Sequence, residues 1–432
     1  MTAQHEVELT EYETTQIESP PPSERDLALA ASLAEQRKLK VTWLHNGEVE
    51  ITSWSHVGLV RFSSLEVRVV PKLVGGAFRV LQMLDYAAGL NLIRRFDHLR
   101  ELPDTGISLF DVLCAVLAEE GAGLLRGGLM RDYRPEHDAL PALRGRLDHR
   151  RQVLNRFGRL DRLECRFDEY DADILENQFV AAGLLSARAK VRDTQIKREV
   201  SKTAGVFSTV CQPLVFHADH YVQSLRYNRR NERYRPAHVI SAYVLRGLGF
   251  EDIYSQSQGQ IFTFLLNMND VFEQFVERLI KDSCAGTSMA VGTQERFGKV
   301  IRNLETGRTY STIRPDLMIR SGDRTFPVDT KYKRYDLRKL STADIYQTFL
   351  YAFVLSRGLP EPRALVIFPS DGPTSGHKLA VRSVQDPQGA LVSAIGIDMP
   401  RILDELGTKE FATTLQSIRN RLLESFGAQT GS

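Results

Sequence analysis

The chain has 432 residues, 42% of them apolar and 25% charged, the balance of a globular protein with two or three domains rather than one core. These figures exclude collagen-like, coiled-coil and wholly disordered chains, and without an apolar run of about 18 residues no membrane helix is expected. The formal charge of +2 hides a split, because residues 1–26 carry seven acids against Arg25 alone, which leaves the basic excess in the body.

Of the 56 basic residues 43 are arginine, and residues 121–160 hold nine arginines, no lysine and four acids. Such a stretch is either a solvated face or a contact for nucleic acid or for the acidic surface of a partner. The four cysteines (Cys114, Cys165, Cys211, Cys284) stand far apart with no CxxC pair, which argues against a disulfide framework or zinc site and fits a reducing cytoplasm. The N-terminus lacks a basic-then-apolar signal, so secretion is not expected.

In chain order, residues 1–26, with Pro20-Pro21-Pro22 and the acidic run, read as a disordered tail. A short helix follows (Leu27 to Lys38). Residues 41–73 alternate as strands, with Asn46-Gly47 a hairpin signal, and residues 27–77 form a β-rich domain. Residues 78–262 read as a mainly helical middle domain, with helices over Val80 to Leu92, Leu109 to Leu125, Ile174 to Val191 and Tyr234 to Leu248. No GxxxxGK[ST] occurs, so no nucleotide site of that kind is expected in this chain. Within 263–432, a helix from Asn269/Asp270 to Asp282 carries an apolar stripe of Val271, Phe272, Phe275, Val276, Leu279 and Ile280. Strands are expected near 288–300, 310–320 and 325–333, then a helix capped by Ser341, then a buried strand over Ala364 to Phe368. The order is α-β-β-β-α-β.

Chemistry concentrates in Arg314-Pro315-Asp316 and Asp329-Thr330-Lys331-Tyr332-Lys333. If Gly322-Asp323 form a two-residue type II′ turn, Asp316 lies opposite Asp329, and Asp316, Asp329 and Lys331 share one sheet face. Pro327 leaves open a longer turn and a shifted register. Two neighbouring carboxylates repel unless a cation sits between them, and a hard divalent ion such as Mg²⁺ with oxygen ligands answers that need. The backbone carbonyl of Thr330 is a further candidate ligand. Lys331 is placed to orient or deprotonate an attacking water and to stabilise charge growing on phosphorus. Glu273, at the edge of the helix stripe, either reaches the sheet edge as a further metal or water ligand or is a surface acid. Gln347 and Tyr351, one turn apart, either touch the lysine or the DNA backbone or merely pack. Lys331, Lys333, Arg334, Arg338 and Lys339 fit a phosphate-binding rim. His217 and His220, with no third ligand nearby, read as structural.

At these residues the chain resembles the PD-(D/E)XK nuclease superfamily and, more closely, the McrC-type subunit of 5-methylcytosine restriction systems. The likeness also includes Val271-Phe272-Glu273-Gln274-Phe275-Val276, Asp344-Ile345-Tyr346-Gln347, Val69-Val70-Pro71-Lys72, Leu143-Arg144-Gly145-Arg146 and Glu164-Cys165-Arg166-Phe167-Asp168-Glu169-Tyr170. The resemblance implies a PD-(D/E)XK-like nuclease domain in an α/β multidomain chain. It implies a subunit that docks through its N-terminal and middle regions on a McrB-like AAA+ GTPase ring and cuts double-stranded, modified DNA in host defence. It also implies that GTP sits on the partner, that Asp316 and Asp329 bind Mg²⁺, that Lys331 is catalytic, and that Glu273 matches the upstream helix acid. Two other classes stand beside this expectation: a non-cutting adaptor that assembles and activates the partner GTPase, and a stand-alone nucleic-acid-binding protein with a decayed nuclease fold.

Overall fold

The computed structural model describes residues 5–90, 92, 108–247, 262–372, 376–384 and 389–426. They fall into two compact units, one from the described parts of Met1–Leu59, Ser63–Leu109 and Leu265–Ser432, the other from Val60–Phe62 and Phe110–Phe264.

The first unit opens with β1 (His5–Thr10), β2 (Thr14–Glu18), α1 (Glu24–Glu35), β3 (Leu39–Trp43), β4 (Glu48–Ser53), β5 (His56–Arg61), β6 (Leu65–Val70) and α2 (Ala77–Ala88). The segment expected as a disordered tail, residues 1–26, is therefore ordered from His5 onward. β1 pairs in parallel with β6, from His5 opposite Leu65 to Thr10 opposite Val70, and β2 pairs antiparallel with β4. The reason lies in alternation: the acids of His5-Glu6-Val7-Glu8-Leu9 take every second position, so Leu9 goes inside while Glu6 and Glu8 stay out of the core. A charge count cannot register that period. The three prolines lead directly into α1, which Ser23 and Asp26 close with a reciprocal capping box; the other Asp26 oxygen accepts from the Ser63 amide at 2.8 Å.

The second unit holds most of α3 (Leu109–Arg126), then β7 (Asp132–Leu140), β8 (Arg146–Leu147), α4 (His149–Arg156), β9 (Leu163–Asp171), α5 (Leu175–Lys190), α6 (Thr194–Val210), α7 (Ala218–Ser224) and α8 (Arg235–Gly247). Leu248, the expected end of the last helix, lies outside the described residues. Phe179 and Tyr221 stack at 4.6 Å in the helical core. The unit is not purely helical, because β7, β9 and β8 form a three-stranded sheet. Its strands are polar along their length and tied by ion pairs such as Arg134–Asp171, so no apolar alternation announced them. Arg144 lies over the Phe167 ring and pairs with Glu169 at 2.6 Å, joining two of the motifs noted above. Gly145 (φ +68°) is required there, since a Cβ would come within 2.4 Å of the Arg166 carbonyl. Much of the arginine-rich stretch is neutralised internally: Arg134, Arg144, Arg156 and Arg159 all pair with acids.

The chain then re-enters the first unit through β10 (Phe262–Asn267), α9 (Met268–Cys284), β11 (Met289–Thr293), β12 (Phe297–Arg302), β13 (Thr309–Ile313), β14 (Leu317–Ser321), β15 (Arg324–Thr330), α10 (Thr342–Leu355), β16 (Arg363–Ser370), β17 (Lys378–Arg382), β18 (Gly389–Asp398), α11 (Met399–Glu405) and α12 (Glu410–Ser425). A six-stranded sheet runs β11-β14-β15-β16-β18-β17, and β12-β13 form a separate ribbon. From α9 to β16 five strands stand between the helices where three were expected, because the expected strands near 288–300 and 310–320 each divide and β12 and β13 leave the sheet as the ribbon. β15 and β16 are parallel and joined through α10, and β16 is buried along most of its length between two parallel neighbours.

Residues 27–77 and 263–432, expected as separate domains, share this unit. Tyr86 on α2 packs its ring 5.3 Å from Phe275 and donates to Asp282 on α9, while Gln82 donates to the Leu403 carbonyl. Pairings this distant in sequence leave no local signal. Among the described residues no helix is long and apolar enough to cross a membrane.

Candidate active site

β14 and β15 pair in the register drawn from the two-residue turn: Ser321 opposite Arg324, Met318 opposite Pro327, Leu317 opposite Val328. Gly322 takes φ +61° and Asp323 stays out of the left-handed region, as a type II′ turn requires. Pro327 does not shift the register. Counting from the hydrogen-bonded pair that closes such a turn, Pro327 falls at a non-hydrogen-bonded position, with its nitrogen turned from β14 toward the side where β16 begins to pair only at Val328.

The register carries Asp329 to the buried end of β15, with Asp316 on the approach to β14. Asp316 Oδ2 accepts from the Thr330 amide at 2.7 Å and from the Thr330 hydroxyl at 2.8 Å. Asp329 is 2% exposed, and Lys331 Nζ lies 2.7 Å from its Oδ2 as an ion pair. Burial first, and the Asp316 carboxylate second, push Asp329 above the usual carboxylate range, against the pull of Lys331.

Lys331 also donates to Gln347 Oε1 at 3.1 Å, and Gln347 in turn donates to Tyr351, whose hydroxyl donates to the Arg314 carbonyl. Both residues of the helical pair thus face the lysine. Burial works to lower the lysine, but the Asp329 pairing outweighs it and raises Lys331. Held as an ammonium by this pairing, it can orient a water and stabilise negative charge.

Glu273 is only partly exposed, and burial first, then Asp316 and Asp270, push it up to about 7. It belongs with the sheet acids rather than to a free helix surface. Gln294 explains part of this, for its side-chain amide donates to Glu273 Oε1 and its backbone amide donates to the Asp316 carbonyl at 3.1 Å. Nothing in the sequence singled out Gln294. Asp344, the first residue of Asp344-Ile345-Tyr346-Gln347, satisfies the Ser341 cap, and it also accepts from Lys333 at 2.9 Å and from Tyr335 and lies 4.0 Å from Lys331. Hydrogen bonds and Lys333 keep its carboxyl below the usual range even though burial, the largest influence, opposes them. Within the basic rim Lys333 and Arg334 are already paired with acids, whereas Arg338 and Lys339 are exposed. His217 precedes α7 and His220 lies edge-on to Tyr221, away from these residues in the chain and in the other unit.

The donor set fits a hard divalent cation. Asp316 and Asp329 supply oxygens, and the Asp316 carboxylate beside the buried Asp329 makes the latter costlier to ionise, a cost that a divalent cation would relieve. Among the described residues no group of three or more His, Cys, Asp or Glu side chains stands where it could hold a metal ion, so Glu273 does not join Asp316 and Asp329 as a third direct ligand, and backbone oxygen or water would complete the coordination of an ion held here.

A mixed sheet whose antiparallel β14–β15 hairpin carries two carboxylates and a lysine at its open end is the class of arrangement found in this chain. The chain belongs to the McrBC 5-methylcytosine restriction system component family, whose model matches residues 51–369. Its fold is similar to that of a chain in the refined half-complex from the tetradecameric assembly of Thermococcus gammatolerans McrB AAA+ hexamers with bound McrC, at 15% identity and TM-score 0.60 over 96% of this chain and 100% of that one. The Thermococcus gammatolerans McrBC complex solved by cryo-EM contains a further match at 19% identity and TM-score 0.43, over 65% of this chain and 88% of that one. No curated protein matches the chain. The likeness to the McrC-type subunit seen in the sequence is borne out.

Proposed function

We propose that this chain is the Mg²⁺-dependent endonuclease subunit of a McrBC-like restriction system, a phosphodiester hydrolase of PD-(D/E)XK type that cuts modified double-stranded DNA in antiviral defence. Its partner is a McrB-like AAA+ GTPase ring, the chain itself carrying no nucleotide, and the setting is the cytoplasm. The observation that carries this reading is the gathering of Asp316, Asp329, Lys331, Glu273 and Gln347 at one end of the β14–β15 hairpin.

Asp316 and Asp329 would hold the ion, joined by the Thr330 carbonyl and, through water, by Glu273. Bound there, Mg²⁺ supplies charge to polarise the scissile phosphate and lower the pKa of a coordinated water. Gln347 fixes the reach of Lys331, so the ammonium meets charge building on the phosphoryl oxygens without reorganising first. Thr330 holds the Asp316 carboxylate in place through two hydrogen bonds. Arg338 and Lys339 on the rim supply cations for the DNA backbone.

The test is cleavage of methylated and unmethylated DNA by the purified chain with its partner GTPase, GTP and Mg²⁺. Asp329→Ala and Lys331→Ala should assemble with the partner and fail to cut. Cleavage at the wild-type rate by Asp329→Ala overturns the proposal; GTPase stimulation with no cutting by any form of the chain favours an adaptor.

A further inference from the structure

Glu11 stands in the tight turn between β1 and β2, is fully buried, and belongs to no part of the site described above. Its Oε2 accepts from the Tyr332 hydroxyl at 3.0 Å and from the Lys72 amide at 3.0 Å; its Oε1 has no hydrogen-bond partner. Its own amide donates to the Val70 carbonyl. Burial is costly here, pushing Glu11 up to about 7 despite the Lys72 amide and the Tyr332 hydroxyl. A neutral apolar residue would fill this place at less cost, so the contact itself needs a reason.

Tyr332 supplies one. It follows Lys331 directly, is 2% exposed, and packs its ring 5.6 Å from Phe272, the neighbour of Glu273 on α9. β15 has already ended at Thr330, so Lys331 rides on irregular chain. That chain is tied on one side by the Lys331 amide to the Ile367 carbonyl at 2.9 Å. On the other side the Tyr332 hydroxyl anchors it to the N-terminal region, donating to Glu11 and accepting from the Leu73 amide. A lysine has four flexible methylenes, so the placement of its ammonium depends on how firmly its backbone is held.

We infer that Glu11, acting through the Tyr332 hydroxyl, is a positioning residue that fixes the segment carrying Lys331, making the N-terminal β1–β2 turn part of the cleavage apparatus. The inference rests on the nuclease reading for its consequence but not for its geometry. The same bond accounts for the Lys72 end of Val69-Val70-Pro71-Lys72, which closes the turn over Glu11.

The experiment uses the full chain as Glu11→Ala, Glu11→Gln and Tyr332→Phe, with hydrogen exchange of the amides of residues 331–333 and cleavage kinetics measured together. Tyr332→Phe and Glu11→Ala should speed exchange in that segment about tenfold and lower kcat about tenfold, with KM for DNA unchanged. Glu11→Gln keeps a carbonyl acceptor for the hydroxyl and should stay within about twofold of wild type. The double variant Glu11→Ala/Tyr332→Phe should be no slower than either single one. If Glu11→Ala fails to fold, Tyr332→Phe, which removes one oxygen, decides. Unchanged exchange in 331–333, or a stability loss with kcat per folded molecule intact, overturns the inference. A wild-type chain that never cuts removes the nuclease reading, while exchange still shows whether Glu11 holds the segment.

Discussion

Asp329→Asn is the most informative substitution for the electrostatics of the site. The side chain is 2% exposed and ion-paired with Lys331 at 2.7 Å, and the net of burial, Asp316 and Lys331 still favours the uncharged carboxyl. An acid raised in the folded state binds more protons there than when unfolded, so its contribution to stability falls as pH rises. Glu273 acts in the same direction, and its window runs from its ordinary 4.5 to about 7. The wild-type chain in a divalent-free buffer should therefore lose stability across that window, and Asp329→Asn should lose less. Between pH 5 and pH 8 the stability difference should shift toward Asp329→Asn by about 1–3 kcal/mol, whatever the loss of the Lys331 ion pair costs the variant at both pH values. Saturating Mg²⁺ should stabilise wild type and not the variant, since a ligand at a hundred times its Kd stabilises the form it binds by about 2.7 kcal/mol. Denaturant unfolding of both proteins at pH 5 and pH 8, with and without Mg²⁺, reads all four quantities. A wild-type chain that loses no more stability than Asp329→Asn between pH 5 and pH 8 without metal would refute the reasoning.

Lys331→Met, which keeps the aliphatic stem and deletes the charge, should cut at a rate lower by about 10²–10⁴ while binding DNA normally, as filter binding and single-turnover kinetics will show. Gln347→Ala frees the ammonium and should cost about tenfold in kcat, in the same assay. Mn²⁺ affinity, followed by paramagnetic relaxation, should tighten as pH rises from 6 to 8, because Asp329 and Glu273 must release protons to bind an ion; a flat profile contradicts their raised pKa values. Ser23→Ala removes one half of the α1 capping box and should destabilise the first unit by about 1 kcal/mol in urea unfolding.

The β14–β15 hairpin was legible because its information is local: Gly322-Asp323 sets the turn, the turn sets the register, and the register places Asp329 relative to Asp316. The α9 stripe and the Ser341 cap were legible for the same reason, each being written within one or two helical turns. Gln294 was not, because its role depends on β11 lying beside β14, a pairing that brings Met289 opposite Ser321 across more than thirty residues. The acidic start of the chain misled through its net charge. β1 owes its order to β6, some sixty residues on, and the Glu11–Tyr332 bond spans 321 positions. The β7–β9–β8 sheet stayed hidden because its strands exchange charges rather than apolar side chains.

The central claim is that Asp316, Asp329 and Lys331 form one phosphodiester-cleaving centre. It is tested most directly by incubating the chain, its partner GTPase and GTP with methylated duplex DNA at increasing Mg²⁺, beside Asp329→Ala and Lys331→Ala. Double-strand breaks that appear only with Mg²⁺ and only in the wild-type chain are the predicted result. Breaks of equal yield in either variant, or breaks undiminished by chelation of the metal, would contradict it.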